Sequence, residues 1–555
     1  MMARRLALTA LIGWGLVATA LFATDARADV WNRPSSEQRR EVETRALDVL
    51  ETIALDTDTS EPTRLNAVRA LLDYGDADAV PTLTRILRST PTPTVRRAVV
   101  DGLVRFRDPD VTAALRTVAS QDEIARIRWR AGLALIRQDA DQLDVIAALL
   151  GEDATIAAAA VDLQQAEVVA RLPEPARALA REAFRAYVDD REAFNDVERA
   201  AMLKALGQLN ADEATAQIIE IMEDESENAF IRGAAAFSLG LLHAEGAVPV
   251  LLQALDLDEA GLQSAAAGAL GRMAPPEAKT PLQRLLDKSE SVEVRAAAAE
   301  ALGAYGADVI SLLDDALDND PSLAVREAAL GSLTAIGGPE ATRAVVEFAE
   351  SDYLQTCNPM SCGSLAFGTL EALVQLDRIE AAIGGFRAAL EGLRPQLPLL
   401  FAFAGDSLVD IATVILDAEP NTLPIFTADD NVYVQAIGLF AWANVADGPE
   451  AREVFMRFVD ADQPTLVRRA AMEGLVQWAL PRDVPIFLAA TSSDDTRTRG
   501  AAYAGLARIG DERAIDAFQH GLTADSTTAR IQAAGTGMGW ANRFDALSKL
   551  EGSLF

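Results

Sequence analysis

The chain has 555 residues, and its 83 Asp and Glu residues outnumber its 50 Lys and Arg residues, which gives a formal net charge of -33 at pH 7. Such a surface repels phosphate groups, so nucleic acid is not an expected partner. The two histidines, His243 and His520, are too few for a Ser-His-carboxylate triad or a multi-histidine metal centre, so we expect no catalytic residue, no metal and no cofactor.

The first 28 residues have the pattern of a secretory signal peptide. Arg4 and Arg5 precede an apolar stretch at 6–23, and an Ala-Arg-Ala stretch at 26–28 supplies small residues where signal peptidase needs them. We therefore predict cleavage before Asp29, export to the periplasm or the extracellular space, and no membrane insertion afterwards. A retained membrane anchor is the alternative, and the arginine pair also raises twin-arginine export.

Residues 29–60 are expected to form an N-terminal capping region with a helix from Ser36 to Leu55. Beyond it, arginines recur at intervals of 31 to 33 residues within each of several runs. These ladder positions are Arg64, Arg96, Arg128, Arg199, Arg232, Arg295, Arg326, Arg468, Arg499 and Arg530. Gln263 fills one missing position, and the ladder loses its register between Arg326 and Gln435. A period of this length indicates a solenoid, in which each unit buries its apolar face only against its neighbours.

Each ladder position is followed seven residues later by leucine in nine cases, and the residue just before that leucine is always small. In residues 231–255, apolar residues recur at helical spacing, Gly246 interrupts them, and a second apolar stripe follows. The pattern predicts two helices per repeat, with small residues that let adjacent helices approach closely and a leucine that fills the space between layers.

The runs VRRAVVDGLV at 95–104, VRAAAAEALGAYG at 294–306 and the segment at 231–255 resemble HEAT repeats, and specifically the short bacterial kind also found in phycobilisome lyases. The resemblance extends over 61–153, 194–345 and 431–540. It implies an all-α fold, a right-handed α-solenoid of about fifteen two-helix HEAT-like repeats. Lyase activity is not carried over, because the shared residues are scaffold positions.

In that family the helix arginine usually meets an aspartate of the preceding turn, which joins one repeat to the next. Six aspartates lie four to eight residues before a ladder position, as this pairing would need: Asp122, Asp258, Asp320, Asp462, Asp494 and Asp525. The resemblance therefore implies that the ladder is an internal, inter-repeat device rather than a ligand site.

The repeats are expected over 61–353, with an irregular part at 154–193, and again over 364–555, with an irregular part at 364–430. Between them, an insertion at 354–363 contains Cys357 and Cys362. An even number of close cysteines in an exported chain predicts a disulfide that closes a small loop. Free thiols or a metal site are the alternatives.

The irregular part near residue 400 carries aromatic side chains. Pro395 and Pro398 interrupt helical continuity, an apolar block with two phenylalanines follows, and further aromatic residues come one repeat later. Aromatic residues in an irregular part of a solenoid suggest contact with a partner. The candidate partner-binding residues are Phe401, Phe403, Tyr433 and Trp442. The alternative is that they fill a core distorted by the insertion.

Together these features predict an exported, non-enzymatic protein-binding scaffold or adaptor of the bacterial envelope, with a protein partner of unknown identity. One alternative is a regulatory subunit of an envelope enzyme, or an envelope enzyme of unrecognised type. Another is a purely structural envelope protein. The acidity fits a solvated surface, or an acidic groove for a cationic partner.

Overall fold

The fold is taken from a computed structural model that describes residues 34–139, 141–351, 353–354, 359–392 and 394–552. The side chains of residues 359–362, 388, 403–404, 449 and 542–552 lie outside this description. Regular structure in the described ranges is helical, without a β-strand. The all-α solenoid expected from the period is confirmed.

The chain begins its described part with helices separated by short turns. They are α1 (Ser36–Leu55), α2 (Glu61–Tyr74), α3 (Val80–Ser89), α4 (Pro93–Leu103), α5 (Pro109–Gln121), α6 (Ala125–Gln138), α7 (Leu143–Leu149), α8 (Asp153–Leu163), α9 (Ala166–Ala170) and α10 (Glu174–Tyr187). The bounds of α1 coincide with those predicted for the capping helix. The irregular part at 154–193 contains one additional short helix, α9.

The central helices alternate regularly between ladder-bearing and partner helices. They are α11 (Asp196–Gln208), α12 (Thr215–Glu223), α13 (Ala229–Leu241), α14 (Val248–Ala254), α15 (Ala260–Met273), α16 (Lys279–Lys288), α17 (Val292–Leu302), α18 (Ile310–Asn319), α19 (Leu323–Ile336) and α20 (Gly338–Ala349). Several partner helices are preceded by a single 3-10 turn.

The remaining helices complete the array. They are α21 (Pro359–Gln375), α22 (Ile379–Gly392), α23 (Leu397–Ala418), α24 (Leu423–Thr427), α25 (Val432–Val445), α26 (Pro449–Met456), α27 (Thr465–Gln477), α28 (Val484–Ala490), α29 (Thr496–Ile509), α30 (Ala514–Leu522) and α31 (Thr527–Gly552). Pro398 lies in the first turn of α23, where a missing N–H costs little, rather than breaking a helix. Along the described residues this arrangement amounts to about fifteen helix pairs.

The described residues divide into two compact units. Residues 50–474 form one, and the described residues up to Val49 together with those from Leu475 onward form the other. In the second unit, Val42 of α1 lies against Gly537 of α31, with its Cγ1 only 3.2 Å from where a Cβ on that glycine would be. Val42 and Ala46 are fully buried. The N-terminal capping helix therefore packs on the last helix of the chain, which the sequence does not indicate.

Within residues 50–474, the ladder-bearing helices form a closely packed row. Neighbours such as α11, α13, α15, α17 and α19 contact one another along much of their length, whereas the partner helices contact one another at few points. Helices that lie closer together occupy the inside of a curve. We call the ladder-bearing helices from α2 to α27 the inner row.

Glycine makes the close approach within the inner row possible. A Cβ added to Gly207, Gly240 or Gly271 would lie 2.9, 2.7 or 2.6 Å from a backbone Cα of the next ladder helix. Each of these glycines lies eight residues after its ladder position, and the Cα that it faces belongs to the small residue before the next repeat's leucine. The leucines seven residues after the ladder positions are fully buried.

The ladder side chains bind backbone carbonyls of the turn that precedes their own helix. In six repeats the acceptor lies six residues before the ladder residue, at 2.7 to 3.4 Å: Arg96 to Thr90, Arg128 to Asp122, Arg295 to Ser289, Arg326 to Asp320, Gln435 to Asp429 and Arg499 to Ser493. Arg232, Gln263 and Arg468 donate to other carbonyls before their helices, while Arg64 and Arg530 donate to threonine hydroxyls.

The ladder arginine meets the aspartate of the preceding turn at Asp122 and Asp320, but through the backbone carbonyl; the expected ion pair with the carboxylate is wrong there. The Asp320 carboxylate accepts from Arg295, 25 residues earlier, while the Asp320 carbonyl accepts from Arg326. Asp122 joins Arg96 and Arg128 in the same manner. The carboxylate thus comes from the turn before the next ladder helix, because the guanidinium extends toward the next repeat. Arg128 and Arg199 follow this rule with Glu152 and Glu227.

Among the described residues, two helical stretches are long and apolar enough to cross a membrane by length and composition, one of them only if a bent pair is taken as one span. The first, Val292–Asn319, turns sharply at Gly306 (φ 68°, ψ -141°), and its two halves, α17 and α18, pack against α16 and α19. The second is Arg394–Ala418, whose two parts meet at 108°. The absence of membrane insertion stays a prediction.

Two alanine substitutions in α15 should have opposite effects on stability. Gly271→Ala places a Cβ against the Ala301 backbone and should destabilise by about 1 to 3 kcal/mol, because a backbone cannot move aside as a side chain can. Gly268→Ala meets only the Arg272 Nη1 at 3.6 Å and should be neutral or stabilise by up to about 1 kcal/mol through helix propensity. Urea unfolding of both variants measures this, and equal effects would contradict the close-packed inner row.

Removing the Asp320 carboxylate should loosen two consecutive repeats. Burial raises the pKa of Asp320, but hydrogen bonds from Arg295 and the Ser322 N–H together lower it by more than burial raises it. The pKa of Asp320 therefore lies below its ordinary value. A lowered folded-state pKa contributes stability above the unfolded-state pKa of about 3.9, and that stability disappears as pH falls through the folded-state value. Asp320→Asn should cost about 1.5 to 3 kcal/mol at neutral pH and less in acid.

Hydrogen exchange across residues 290–335, at pH 7 and in mild acid, measures this contribution. The matched control is Asp318→Asn, since Asp318 is an exposed acid of the same segment. Equal losses of protection in the two variants would show that the Asp320 ion pair does not join the repeats.

Candidate partner-binding surface

The ladder side chains are occupied by contacts between repeats, so other positions of the inner row face outward. Val197 and Phe230 each lie two residues before a ladder position, and they are 66% and 52% exposed. Lys204, five residues after a ladder position, places its Nζ 5.9 Å from the centre of the Phe230 ring. We use the term inner face for those residues that are not buried at the positions two before and one, five and nine after each ladder residue.

Glycine leaves short stretches of the inner face of α15 and α19 without side chains. Gly261 and Gly331 have nothing within 4 Å of an added Cβ, and Gly268 has only the end of the Arg272 side chain. The guanidinium of Arg272 lies 4.8 Å from the centre of the Phe237 ring. Unlike Gly271, these glycines are not required by helix packing. Glycine inside a helix destabilises it by about 1 kcal/mol relative to alanine, and helix packing does not explain why glycine occupies these three positions.

Further along the same row, three aromatic rings and one guanidinium form a continuous line of contacts. Phe401 of α23 lies 5.7 Å from Tyr433 and 6.4 Å from Phe440 of α25, with the Phe401 and Phe440 rings 25° from parallel. Arg469 of α27 lies over the Phe440 ring, with its guanidinium 5.4 Å from the centre of that ring. All four side chains are half-buried. We call these four residues the aromatic row.

Ion pairs at the adjacent turn fix the position of this row. Arg394, just before α23, donates to Asp429 at 2.7 Å and to Asp430 at 2.6 Å, in the turn before α25. The hydrogen bond from Arg394 lowers the pKa of the Asp430 carboxyl. The carbonyl of Asp429 also accepts a hydrogen bond from the ladder residue Gln435 at 2.7 Å. The turn before α25 is therefore bonded both to the ladder residue of that helix and to Arg394, which precedes the aromatic row.

The four residues suggested by the sequence have different environments. Phe401 and Tyr433 come together in the aromatic row. Trp442 packs, half-buried, beside a hydrophobic core that includes Phe426, and its indole Nε1 is buried without a hydrogen-bond acceptor in the described part of the chain. The side chain of Phe403 lies outside the described residues. Whether these residues bind a partner stays a prediction.

Phe440 and Arg469 complete the surface but are absent from the candidate set. Phe440 lies five residues after Gln435, and Arg469 lies one residue after a ladder arginine. Both are inner-face positions. Aligning the repeats on their ladder residues and comparing the inner-face positions would have identified both residues, whereas aromatic content alone does not.

The cysteine prediction cannot be placed on this surface. Cys357 lies outside the described residues, as does the side chain of Cys362, so the disulfide stays a prediction. Among the residues that are described, no group of three or more His, Cys, Asp or Glu side chains could hold a metal ion.

A family model described as HEAT repeats matches the chain seven times, over residues 47–136, 86–162, 190–262, 226–303, 249–333, 286–356 and 453–539. These matches include every ladder arginine and cover well over half of the chain. They do not single out the phycobilisome-lyase kind of repeat, so that narrower resemblance stays an expectation. No curated protein matches the sequence significantly.

Solved solenoid structures resemble this chain at low identity. Yeast importin-beta (Kap95p) is 13% identical with a TM-score of 0.38, over 92% of this chain and 80% of that one. Kap121p is 15% identical with a TM-score of 0.33, over 90% of this chain, which spans about half (54%) of that one. Human deoxyhypusine hydroxylase is 17% identical with a TM-score of 0.22, over 60% of this chain and 96% of that one.

These similarities are too distant to support an argument about activity. The repeated family matches, the ladder and the paired helices agree with one another along the described residues. The chain belongs to the HEAT-repeat family.

Proposed function

We propose that this HEAT-repeat protein is a non-enzymatic scaffold or adaptor that holds a protein partner against the inner face of residues 50–474. The observation that carries the proposal is the aromatic row. Aromatic and arginine side chains provide most of the binding energy in protein interfaces, and these four are half-buried, stacked and held in place by neighbouring turns.

The surroundings of the aromatic row support the same function. Half-buried rings that rest on one another are pre-organised, so little side-chain entropy is lost when a partner covers their exposed edges. The bare helix backbone at Gly261, Gly268 and Gly331 would let a partner approach closely on the same row of helices. HEAT repeats provide extended concave surfaces of this kind.

Replacing an anchor of the aromatic row should weaken partner binding more than it weakens the fold. Tyr433→Ala and Phe440→Ala should each reduce partner affinity about thirtyfold, equivalent to about 2 kcal/mol. Each variant should remain folded, because both rings are only partly buried. Quantitative crosslinking in envelope extract of the native host, beside thermal unfolding, measures both effects.

The matched control is Phe458→Ala. Phe458 is also half-buried and lies beside an arginine, Arg457, with 6.0 Å from the guanidinium to the ring centre, but it lies in the turn between α26 and α27. Crosslinked species lost in the row variants should persist in this control. Unchanged crosslinking together with strong destabilisation of both row variants would assign these rings to the core and contradict the proposal.

We further propose that the protein acts in the bacterial envelope, after export to the periplasm or the cell surface. The support is the apolar stretch at 6–23, the preceding arginine pair and the Ala-Arg-Ala stretch at 26–28. Amino-terminal sequencing of protein purified from its native host should begin at Asp29. Recovery of full-length protein from the cytosol would contradict export while leaving the binding surface unaffected.

A further inference from the structure

A second group of side chains, four of them at inner-face positions and none of them part of the aromatic row, concentrates positive charge. Five arginines gather around two aspartates between α4 and the end of α9. We call this group the arginine cluster: Arg97, Arg126, Arg130, Arg137, Arg171, Asp101 and Asp162. Most of its members lie close to ladder positions, at Arg96 and Arg128, on neighbouring helices of the inner row.

A buried carboxylate organises the cluster. The Asp162 side chain is fully buried, and its Oδ1 accepts from Arg126 at 3.0 Å and from Arg130 at 3.1 Å. Arg130 also approaches Asp101 at 3.5 Å. Asp162 therefore holds two guanidiniums side by side while their outer parts remain accessible, with 44% of the Arg126 and 24% of the Arg130 side chain exposed.

The other three arginines have no such partner. Arg97, Arg137 and Arg171 are exposed, and within the described residues none forms a hydrogen bond or ion pair through its guanidinium. Burial and then the nearby positive charge of Arg171 lower the pKa of Arg137. Like charges that repel one another in a partly desolvated site are stabilised when an anion binds between them.

Charge balance sets this site apart from the rest of the molecule. Five arginines against two aspartates leave a local excess of three positive charges, on a chain with a net charge of -33. The other three arginines are not needed to balance Asp162, because this carboxylate already forms ion pairs with Arg126 and Arg130. The three others remain available to carboxylates from outside the chain.

The charge of the whole chain limits what can bind there. A long polyanion such as nucleic acid, or an anionic membrane, would face repulsion from most of the surface. A short acidic segment meets only the cluster. Neighbouring helices lie about 8 to 10 Å apart, and an extended peptide advances about 3.3 Å per residue, so a peptide crossing the row reaches a new helix at about every third residue.

We propose that the arginine cluster binds an extended acidic segment of the protein partner, with spaced carboxylates received by Arg97, Arg137 and Arg171, which lie on separate elements. This inference rests on the proposed scaffold function and adds the chemical class of one partner segment. The aromatic row would then contact a different part of the same partner.

A fluorescent synthetic peptide tests the site directly with the purified full-length mature chain. The probe has Asp at every third position over about nine residues, separated by Gly and Ser. Fluorescence anisotropy should show saturable binding that weakens with salt. The double variant Arg97→Gln/Arg137→Gln should weaken binding about tenfold or more, since it removes two charge-assisted contacts. These side chains bind nothing else in the described chain, so thermal unfolding should be unchanged.

Three comparisons make the result decisive. Arg88→Gln, which removes an exposed arginine of α3, should leave peptide binding unchanged. A peptide of the same composition with its aspartates contiguous should bind less tightly. Absence of saturable binding, equal loss in the Arg88 variant, or tighter binding of single-stranded DNA of similar charge would each overturn the proposal.

The outcome can be separated from that of the scaffold proposal. If the Arg97→Gln/Arg137→Gln variant keeps every crosslinked partner that depends on Tyr433 and Phe440, the scaffold function stands and the acidic-segment site is wrong. If the peptide binds but the Tyr433→Ala and Phe440→Ala variants lose no crosslinked partner, the acidic-segment site stands and the scaffold function of the aromatic row is wrong.

Discussion

The structure depends on the contact between glycine on one ladder helix and the backbone of the next. A Cβ at Gly240 or Gly271 would lie within 2.7 Å of a neighbouring Cα, closer than atoms of real side chains approach. In the central repeats this contact brings the ladder helices together while the partner helices stay apart, so the row curves there.

Close packing divides the residues of each ladder helix between two tasks. The ladder side chain, the small residue and the leucine are buried or bonded between repeats, as Arg295, Ala301 and Leu302 show. The inner-face positions do not take part in this packing. Their residues vary along the chain, from the arginine cluster through the exposed glycines to the aromatic row. A uniform scaffold thereby presents different chemistry at successive repeats, which suits a partner bound along its length.

The sequence predicts those features that repeat, because a period makes each repeat evidence for the others. The helix pairs and the buried leucines follow from the period. The direction of the Asp320 pairing does not, because Asp320 lies six residues before Arg326 but 25 residues after Arg295, and only the position of the helices brings its carboxylate to the more distant arginine. The stack of Phe440 on Phe401 and the packing of Val42 on Gly537 depend on long-range contacts that no local pattern records.

The central claim is that stability passes from repeat to repeat through contacts of neighbouring ladder helices. Native-state hydrogen exchange of the Leu302→Ala variant, compared with the unaltered chain, tests it most directly, because Leu302 is fully buried between layers. The account predicts a loss of about 2 to 5 kcal/mol confined to residues 260–335, with exchange elsewhere unchanged. An equal loss of protection across all the described helices would contradict it.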